Sequence, residues 1–189
     1  MAYRETSQRL ARYREEITAL RRKMRDLQAS VEPETVRDYE FATAGGAVRL
    51  SQLFGAKDDL FVIHNMGAAC PYCTMWADGF NGVLPHLENR AAFVLASPDA
   101  PATQDKFKAS RGWRFRMVSH QGTSFAADMG YRSEDGFLPG VSVFKREKGA
   151  ILRVSDTGFG PGDDFCSVWH FLDLLPEGGA DWRPRFSYG

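Results

Sequence analysis

Long apolar runs are absent from this chain of 189 residues. A helix that crosses a membrane needs about 20 predominantly apolar residues, and every apolar run here is far shorter, so we expect no membrane span. The first residues are charged from Arg4 onward and contain no apolar core of an export signal. These two absences predict a protein of the reducing cytoplasm.

An excess of charge of either sign is also missing, because 24 Lys and Arg side chains are balanced by 24 Asp and Glu side chains. Proteins that bind nucleic acids or anionic membrane surfaces usually carry a basic excess. The composition therefore predicts no nucleic acid and no membrane as a partner. A hydrophobic content of 43% is instead typical of a globular domain, and the length suffices for one well-formed core.

Cysteine is scarce and is limited to Cys70, Cys73 and Cys166. Three cysteines do not make a disulfide framework. In a chain without an export signal, a single Cys-X-X-Cys pair is more typical of redox or metal chemistry than of a structural bridge. The stretch Cys70-Pro71-Tyr72-Cys73 is therefore the first candidate for a reactive site.

The candidate pair lies between a predicted strand and a predicted helix. An apolar run at 60–66 precedes it, and apolar residues with helical spacing follow from Met75 to Leu87. The first turn of a helix has unpaired N–H groups and a partial positive charge, and both stabilise a thiolate. We therefore expect the pKa of Cys70 to fall below its usual value near 8.5, which gives a nucleophile near neutral pH.

The rest of the chain alternates between predicted strands and helices. We predict short strands at 39–42 and 47–50, longer strands at 60–66, 91–96 and 115–119, and a hairpin of 141–144 with 151–154. One helical turn at 51–55 is capped by Ser51, a helix runs from Cys70 to about Asn89 with a kink at Pro85, and a helix at 102–111 is stopped by Gly112. The last helix is capped by Asp163 or Asp164 and stopped by Pro176. The two apolar strands joined by the Cys70 helix form a right-handed parallel crossover, which the hairpin extends in antiparallel fashion. The predicted fold over residues 33–189 is therefore α/β, with a central mixed sheet and helices on both faces.

Residues 4–30 are predicted to form one long helix that ends before Pro33. Its apolar residues recur at alternating steps of three and four, which is the spacing of a coiled-coil seam over about three heptads. The seam residues are Leu10, Tyr13, Ile17, Leu20, Met24, Leu27 and Val31. One interpretation is a solvated helix along its own domain. The interpretation that we favour is a separate segment, 1–32, that forms a homodimer through residues 4–31.

Several segments of the chain resemble one group of proteins. They are the strand that ends in Cys-Pro-X-Cys, the charged opening helix, Leu53-Phe54-Gly55, residues 73–87 with Trp-Ala-Asp-Gly-Phe, Gly112-Trp113, residues 139–144, residues 172–176 and Trp182. These segments resemble an uncharacterised bacterial thioredoxin-like family, related to the alkyl hydroperoxide reductase and thiol-specific antioxidant group. The resemblance covers nearly the whole chain, and it implies a thioredoxin-like fold behind a long N-terminal helix.

The resemblance also implies roles for individual residues. Cys70 resembles the exposed attacking thiol of thioredoxins, and Cys73 resembles the resolving thiol. Pro139 resembles the cis-proline that faces the disulfide in this fold, whereas the alternative is a trans proline at the start of an edge strand. The implied chemistry is thiol–disulfide exchange with a protein or a small thiol as redox partner, and it requires no cofactor.

His64 lies six residues before Cys70, at the position of the buried acidic residue beneath the thioredoxin disulfide. An imidazole titrates near neutral pH, and it would be able to accept the Cys73 proton. The alternative of equal weight is a core histidine with a satisfied hydrogen bond. Of the residues that follow the motif, Trp76 is interpreted as core packing and Asp78 as a solvated side chain.

Cys166 and His170 are four residues apart on the last predicted helix, so they share a face. Together with Cys70 and Cys73 they would make a Cys₃His zinc set by residue type. The alternative that we favour is a buried cysteine and a half-exposed histidine, and we therefore predict no metal.

Three classes of function remain open. The leading one is a thiol–disulfide oxidoreductase. Its glutathione-dependent variant is suggested by the glutaredoxin-type Cys-Pro-Tyr-Cys and by residues 160–164, which weakly resemble a glutathione-holding stretch. A peroxiredoxin-type peroxidase is disfavoured, because such enzymes need Thr or Ser three residues before the reactive cysteine and Gly67 stands there. The second class is a non-catalytic binding or adaptor module, and the third is a structural zinc protein.

Removal of residues 1–30 tests the coiled-coil prediction. If the seam joins two copies of the chain, light scattering should give the truncated protein about half the mass of the full-length protein. Circular dichroism should show that the remaining domain is still folded. A mass that falls only by the weight of the deleted residues would contradict the prediction.

Overall fold

The computed structural model describes residues 2–189. By its internal contacts the chain divides into two compact units, residues 1–33 and residues 34–189. Within residues 2–189, no helix is both long enough and apolar enough to cross a membrane.

The first unit consists of one long helix, α1 (Tyr3–Ala29). It ends at Ser30, whose backbone N–H donates to the last carbonyls and whose hydroxyl donates to the Leu27 carbonyl over 2.7 Å. No described residue of α1 is buried, and the side chains of the seam are between 45% and 72% exposed. The predicted helix is therefore confirmed, and the homodimer remains a prediction.

The second unit is built around an eight-stranded mixed sheet. Its strands are β1 (Glu34–Val36), β2 (Glu40–Thr43), β3 (Gly46–Arg49), β4 (Asp59–His64), β5 (Ala92–Ser97), β6 (Arg116–Ser119), β9 (Gly140–Glu147) and β10 (Ala150–Gly158). Two further short strands, β7 (Arg132–Ser133) and β8 (Gly136–Phe137), form a small separate hairpin. The helices are α2 (Leu50–Leu53), α3 (Pro71–Arg90), α4 (Pro101–Arg111), α5 (Phe125–Asp128) and α6 (Ser167–Leu172).

The sheet has the order β1-β10-β9-β4-β5-β6-β2-β3. Strands β4, β5 and β6 are parallel, whereas β9 pairs antiparallel with β4 and carries β10 and then β1 at its outer edge. The central strands β4 and β5 consist mainly of apolar residues, which suits strands that are covered on both faces. The predicted mixed sheet is therefore confirmed, including the crossover through the Cys70 helix and the antiparallel hairpin.

Successive residues of β4 point to opposite faces of the sheet, and each face has its own hydrophobic core. Leu60 and Val62 pack in one cluster, which α2 and α5 cover. Ile63 packs in the other cluster with Trp76 of α3 and Trp169 of α6. Helices thus lie on both faces, and the helix that begins at Cys70 covers one of them.

Local signals set the ends of the two longest helices of this unit. Helix α3 has Pro71 in its first turn, where the missing N–H costs no hydrogen bond, and it contains Pro85 as predicted. Helix α4 ends at Gly112, which adopts the left-handed conformation at φ 65°. Both helices agree with their predicted bounds to within one residue.

Some predicted helix caps are wrong. Helix α2 begins one residue before Ser51, which donates from both its N–H and its hydroxyl to the carboxylate of Asp38 and so caps nothing. Helix α6 begins only after Cys166, because the Asp163 carboxylate accepts the N–H groups of Phe165 and Cys166 and closes a separate turn there. Strand β1, helix α5 and the β7–β8 hairpin were not predicted.

Gly140, the first residue of β9, packs closely against neighbouring residues, and a single substitution tests this packing. A Cβ at this residue would lie 2.2 Å from the Tyr131 ring and 2.6 Å from the Thr157 carbonyl. Gly140→Ala should therefore lower the free energy of unfolding by about 3 kcal/mol, as overpacking of a close-packed core does. Urea unfolding of the variant and the parent measures the difference.

Gly158 provides the matched control, because it is the cross-strand partner of Gly140 in β10. A Cβ there would have only the Pro139 carbonyl within 4 Å, at 3.9 Å. Gly158→Ala should therefore leave stability within about 0.5 kcal/mol of the parent. Equal losses in the two variants would contradict the close packing of Tyr131 on Gly140.

Candidate active site

The candidate site lies at the edge of the sheet where the three parallel strands end. The Asn65 N–H donates to the Ala96 carbonyl and the His120 N–H donates to the Ser97 carbonyl, so the ladder extends just beyond β4 and β6. In open α/β sheets the carboxyl ends of parallel strands are where ligands usually bind. Helix α3 begins here and carries Cys70 at its N-cap.

The segment that joins β4 to Cys70 is held by side chains from the same sheet edge. Asn65 accepts the Gly67 N–H over 2.8 Å, and Asp99 accepts the Ala68 N–H over 2.9 Å. Gly67 has φ 108°, and a Cβ there would lie 3.1 Å from both carboxylate oxygens of Asp99. The position thus favours glycine for two reasons, and the loop delivers Cys70 in a fixed place.

Cys70 is half-buried, and its sulfur accepts the Cys73 N–H over 3.1 Å. The pKa of Cys70 is lowered to about 7, chiefly by the hydrogen bond from the Cys73 side chain and further by the N–H groups of Cys73 and Tyr72. Burial opposes this effect without cancelling it. About half of the Cys70 thiols are therefore ionised at neutral pH.

Cys73 is the opposite kind of thiol. It is 2% exposed, and its sulfur accepts the Met66 N–H over 3.4 Å. Its pKa is raised, first because its proton is bonded to Cys70, then by burial and by the nearby negative charge of Cys70. Both thiols are free rather than joined, so the structure has the arrangement of a reduced pair in which Cys70 is the more acidic sulfur.

Aromatic side chains enclose the helix that carries the thiols. The Tyr72 ring lies 6.1 Å from that of Trp169 on α6, and the Trp76 ring lies 5.6 Å from that of Phe159. Trp76 is 3% exposed, and its indole N–H donates to Asp163 over 3.4 Å. The prediction that Trp76 packs in the core is therefore confirmed.

Asp78 is not the simple solvated side chain that was predicted. Its carboxylate accepts the Trp113 indole N–H over 2.8 Å and pairs with the Arg111 guanidinium. Both partners come from the end of α4 and the turn behind it, so Asp78 joins α3 to α4. Sequence spacing gave no sign of this contact, because the partners lie more than 30 residues away.

The predicted cis peptide bond before Pro139 is wrong, since no cis bond occurs within residues 2–189. Pro139 instead continues the ladder of β9 and β10, because its carbonyl accepts the Phe159 N–H over 2.9 Å. This is close to the alternative of a trans proline at a strand start. The contact with Phe159, which packs on Trp76, links Pro139 to the helix of the thiols.

His64 lies on the sheet face opposite to the one that α3 covers. Its ring stacks on Tyr131 at 3.7 Å and on Phe125 at 5.3 Å, and its Nε2 lies 2.9 Å from the Ser142 hydroxyl. Burial lowers the pKa of His64 to about 3, with smaller contributions from His120 and Arg153. An imidazole with so low a pKa is a weak base, and His64 lies on the other face of the sheet from α3; both points argue against its predicted role as the base for Cys73.

Tyr131 also belongs to this region, although the sequence predicted for it only the role of an aromatic anchor in a loop. Its hydroxyl donates to the Val141 carbonyl over 3.0 Å, and burial together with Asp156 raises its pKa to about 12. The ring fills the space between Gly140 and His64. Its only sequence signal was an aromatic residue in a predicted loop.

Cys166 is buried as predicted, and burial raises the pKa of its thiol. His170 is on the exposed side of α6, with Nε2 3.7 Å from a carboxylate oxygen of Asp164. Within residues 2–189, no three or more His, Cys, Asp or Glu side chains are grouped in a way that would hold a metal ion. The Cys₃His set considered from the sequence is therefore not brought together.

A comparison with protein-family models matches residues 3–185, almost the whole chain, to a family described as bacterial protein of unknown function, DUF899. Among curated proteins none matches significantly. The uncharacterised bacterial family that the sequence resembled is thus supported over residues 3–185.

Solved structures with a similar fold include several peroxiredoxins. A cysteine-to-serine mutant of PrxQ from Xylella fastidiosa superposes with a TM-score of 0.58 at 17% identity, over 67% of this chain and 84% of that one. The peroxidoxin BcpB of Mycobacterium tuberculosis gives a TM-score of 0.53 at 25% identity, over 65% and 84% of the two chains. Peroxiredoxin Q of Xanthomonas campestris gives 0.55 at 18% identity, over 64% and 79%. These likenesses confirm the thioredoxin-like fold.

The pH dependence of alkylation tests the asymmetry of the two thiols. Only the thiolate reacts, so the rate at which iodoacetamide modifies Cys70 should rise with a midpoint at about pH 7. Cys73→Ala removes the largest stabiliser of that thiolate and should move the midpoint upward. Mass spectrometry of the modified protein measures the rates.

Cys166→Ala is the control for this titration, because its thiol is not among the groups that set the Cys70 pKa. The midpoint should stay in place in that variant. A parent midpoint near 8.5, or one that Cys73→Ala leaves unchanged, would contradict the hydrogen-bonded pair.

Proposed function

The chain belongs to the bacterial family of unknown function DUF899, and we propose that it is a thiol–disulfide oxidoreductase whose reacting pair is Cys70 and Cys73. The observation that carries the proposal is the position of the Cys70 sulfur at the N-cap of α3. There it accepts the Cys73 N–H over 3.1 Å and has a pKa of about 7. A thiol with a pKa near the ambient pH is the most effective attacking group in disulfide exchange.

The first step of the proposed reaction is attack by the Cys70 thiolate on one sulfur of a partner disulfide. A bond forms between Cys70 Sγ and that sulfur, the partner's S–S bond breaks, and the second partner sulfur leaves as a thiolate that takes a proton. In the next step Cys73 loses its proton and attacks Cys70 Sγ. The mixed disulfide breaks, the partner is released with two thiols, and the Cys70–Cys73 pair is left oxidised by two electrons.

The contact between the Cys70 and Cys73 sulfurs also explains why the second step follows the first. The Cys73 pKa is raised by its bond to the Cys70 thiolate and by the charge of that thiolate. Once Cys70 is in a mixed disulfide, it no longer carries that charge. The Cys73 pKa then falls, while the Met66 N–H continues to stabilise the anion that forms. Resolution therefore needs no base on the protein, which agrees with the low pKa of His64 and its place on the other face of the sheet.

Peroxidase chemistry, which the names of the structural relatives suggest, fits this site less well. Gly67 stands three residues before Cys70, where a peroxidase would need the hydroxyl of Thr or Ser. The positive φ of Gly67 would strain a Thr or Ser there, and its Cβ would lie 3.1 Å from the Asp99 carboxylate, which would have to shift. Disulfides are therefore the proposed oxidants.

Dependence on glutathione is also not favoured. The Asp163 carboxylate, which weakly resembled a glutathione-holding residue, accepts the N–H groups of Gly160, Phe165 and Cys166. Both of its oxygens thus already hold this loop together, and Asp163 serves the fold rather than the amino group of a bound peptide. The proposed partner is therefore the disulfide of a protein or of another small thiol.

Reaction with 5,5′-dithiobis(2-nitrobenzoate) tests the proposal, because each attack on this disulfide releases one coloured thiolate. The parent protein should release two equivalents, the first by attack of Cys70 and the second by resolution through Cys73. Cys73→Ser should release one equivalent and remain a mixed disulfide, which mass spectrometry detects. Cys70→Ser should react much more slowly, because the remaining thiols are buried.

Cys166→Ser serves as the control and should behave as the parent does. If Cys70→Ser and Cys73→Ser release thiolate at equal rates, the assigned roles are wrong. If the parent protein releases the coloured thiolate no faster than a buried thiol would, the oxidoreductase proposal fails and the domain is a binding module. Faster oxidation of the pair by hydrogen peroxide than by disulfides would instead support a peroxidase.

A further inference from the structure

The apolar seam of α1 is exposed along its whole length. The helix has 27 residues, none of those described is buried, and the seam side chains are at least 45% exposed. A helix that packs on a broad apolar surface has an apolar stripe about 100° wide, whereas two positions in seven make the narrower stripe of a coiled coil. The spacing therefore fits another helix as the occupant of the seam. The seam residues within α1 are Leu10, Tyr13, Ile17, Leu20, Met24 and Leu27.

The residue types of the seam suit a pair of helices. Ile17 stands at position a of its heptad, and Leu20 and Leu27 stand at position d. A β-branched residue at a with leucine at d favours two strands over three or four. Two copies of α1 also have seams of equal length and spacing, so the apolar side chains of one copy match those of the other. A second copy of this chain therefore fits the whole seam.

The positions that flank the seam, e and g, carry four positive charges and one negative charge. The positive ones are Arg9, Arg14, Arg21 and Lys23, and the negative one is Glu16. Side chains at e and g form the ion pairs between the helices of a coiled coil, and they decide which helices pair. Since the bases of two identical helices repel one another, the single acid is the residue on which pairing depends.

In a parallel pair, each g position faces the partner's e position five residues further along the chain. Glu16 then faces the partner's Arg21, and this contact is attractive. Arg9 faces the partner's Arg14, and this contact is repulsive. Each contact occurs twice in a dimer, so the two Glu16 contacts offset the two repulsive ones.

In an antiparallel pair with the seams in full overlap, g positions face g positions and e positions face e positions. Glu16 then faces the partner's Lys23, which is again attractive, and Arg14 faces the partner's Arg21, which is repulsive. Glu16 therefore makes the only attractive charge contact between the flanks in both orientations.

We propose that α1 pairs with α1 of a second copy of this chain, and that Glu16 determines whether the two helices pair. The apolar seam supplies most of the attraction, and the Glu16 contacts offset the repulsion between the flanking bases. Without Glu16, every charge beside the seam would be positive. This pairing does not depend on thiol exchange at Cys70.

Analytical ultracentrifugation of the full-length protein tests the proposal, with a reductant present to exclude disulfide-linked dimers. The parent should sediment as a dimer of two 21.2 kDa chains. Glu16→Arg turns both attractive contacts into repulsive ones, so it should raise the dissociation constant of the dimer by about tenfold or more. Circular dichroism should show that the variant is folded.

Glu15→Arg is the matched control, because Glu15 directly precedes Glu16 but stands at position f, on the side of the helix away from the seam. It makes the same change of charge, and both positions lie about one turn from Arg12, so the two variants alter the same kind of contact inside the helix. The Glu15→Arg dimer should dissociate as the parent dimer does. Equal weakening by the two variants would overturn the role of Glu16.

A second substitution tests whether Glu16 acts across the pair. Adding Arg21→Glu to Glu16→Arg restores an attractive contact in either orientation, because position 21 faces the partner's position 16 in a parallel pair and the partner's Arg14 in an antiparallel one. The double variant should therefore dimerise about as tightly as the parent. A monomeric parent, or a double variant that dimerises no more tightly than Glu16→Arg alone, would overturn the proposal.

The thiol reaction separates this proposal from the proposed function. Glu16→Arg should release the same two equivalents of coloured thiolate per chain as the parent, because residue 16 takes no part in the reaction of Cys70 and Cys73. A dimeric parent that releases no thiolate would remove only the oxidoreductase proposal. A monomeric parent that releases two equivalents would remove only the pairing of α1.

Discussion

The backbone N–H of Cys73 donates to the Cys70 sulfur over 3.1 Å, and this bond forms only because α3 begins at Pro71. The loop in front of the helix is fixed by Asn65 and Asp99, both at the end of parallel strands. The sheet edge, the loop and the first helical turn therefore hold the sulfur in one place. A shift of the helix start by one residue would remove the N–H groups that help to lower the pKa of Cys70.

The elements that place Cys70 were predictable because their signals are local. An apolar run predicted β4, and a proline at the first helical position predicted the start of α3. A glycine, Gly112, predicted the end of α4, where it adopts the left-handed conformation. The difference between the two thiols also follows from position along one helix. The first cysteine caps the helix, and the second lies one turn inside it, where the core begins.

The side-chain positions that could not be predicted from the sequence depend on contacts between residues far apart in the chain. Six residues separate His64 from Cys70, but that spacing does not show that the imidazole points to the opposite face and stacks on Tyr131. The partners of Asp78 lie on another helix, and the bond from Phe159 to Pro139 depends on the register of β10 against β9. Each of these misassignments was corrected by strand pairing or helix packing, which no window of residues contains.

The paired protonation states of the two sulfurs link electron transfer to proton uptake. The disulfide form carries no titratable thiol, whereas the reduced form holds both protons below about pH 7 and one proton above it. A tenfold change in equilibrium for a two-electron couple corresponds to about 30 mV. The reduction potential of the pair should therefore fall by about 60 mV per pH unit in acid and by about 30 mV per pH unit above neutrality. Through this change of slope, the lowered pKa of Cys70 makes the pair a milder reductant in alkaline solution than an ordinary dithiol that has the same potential in acid.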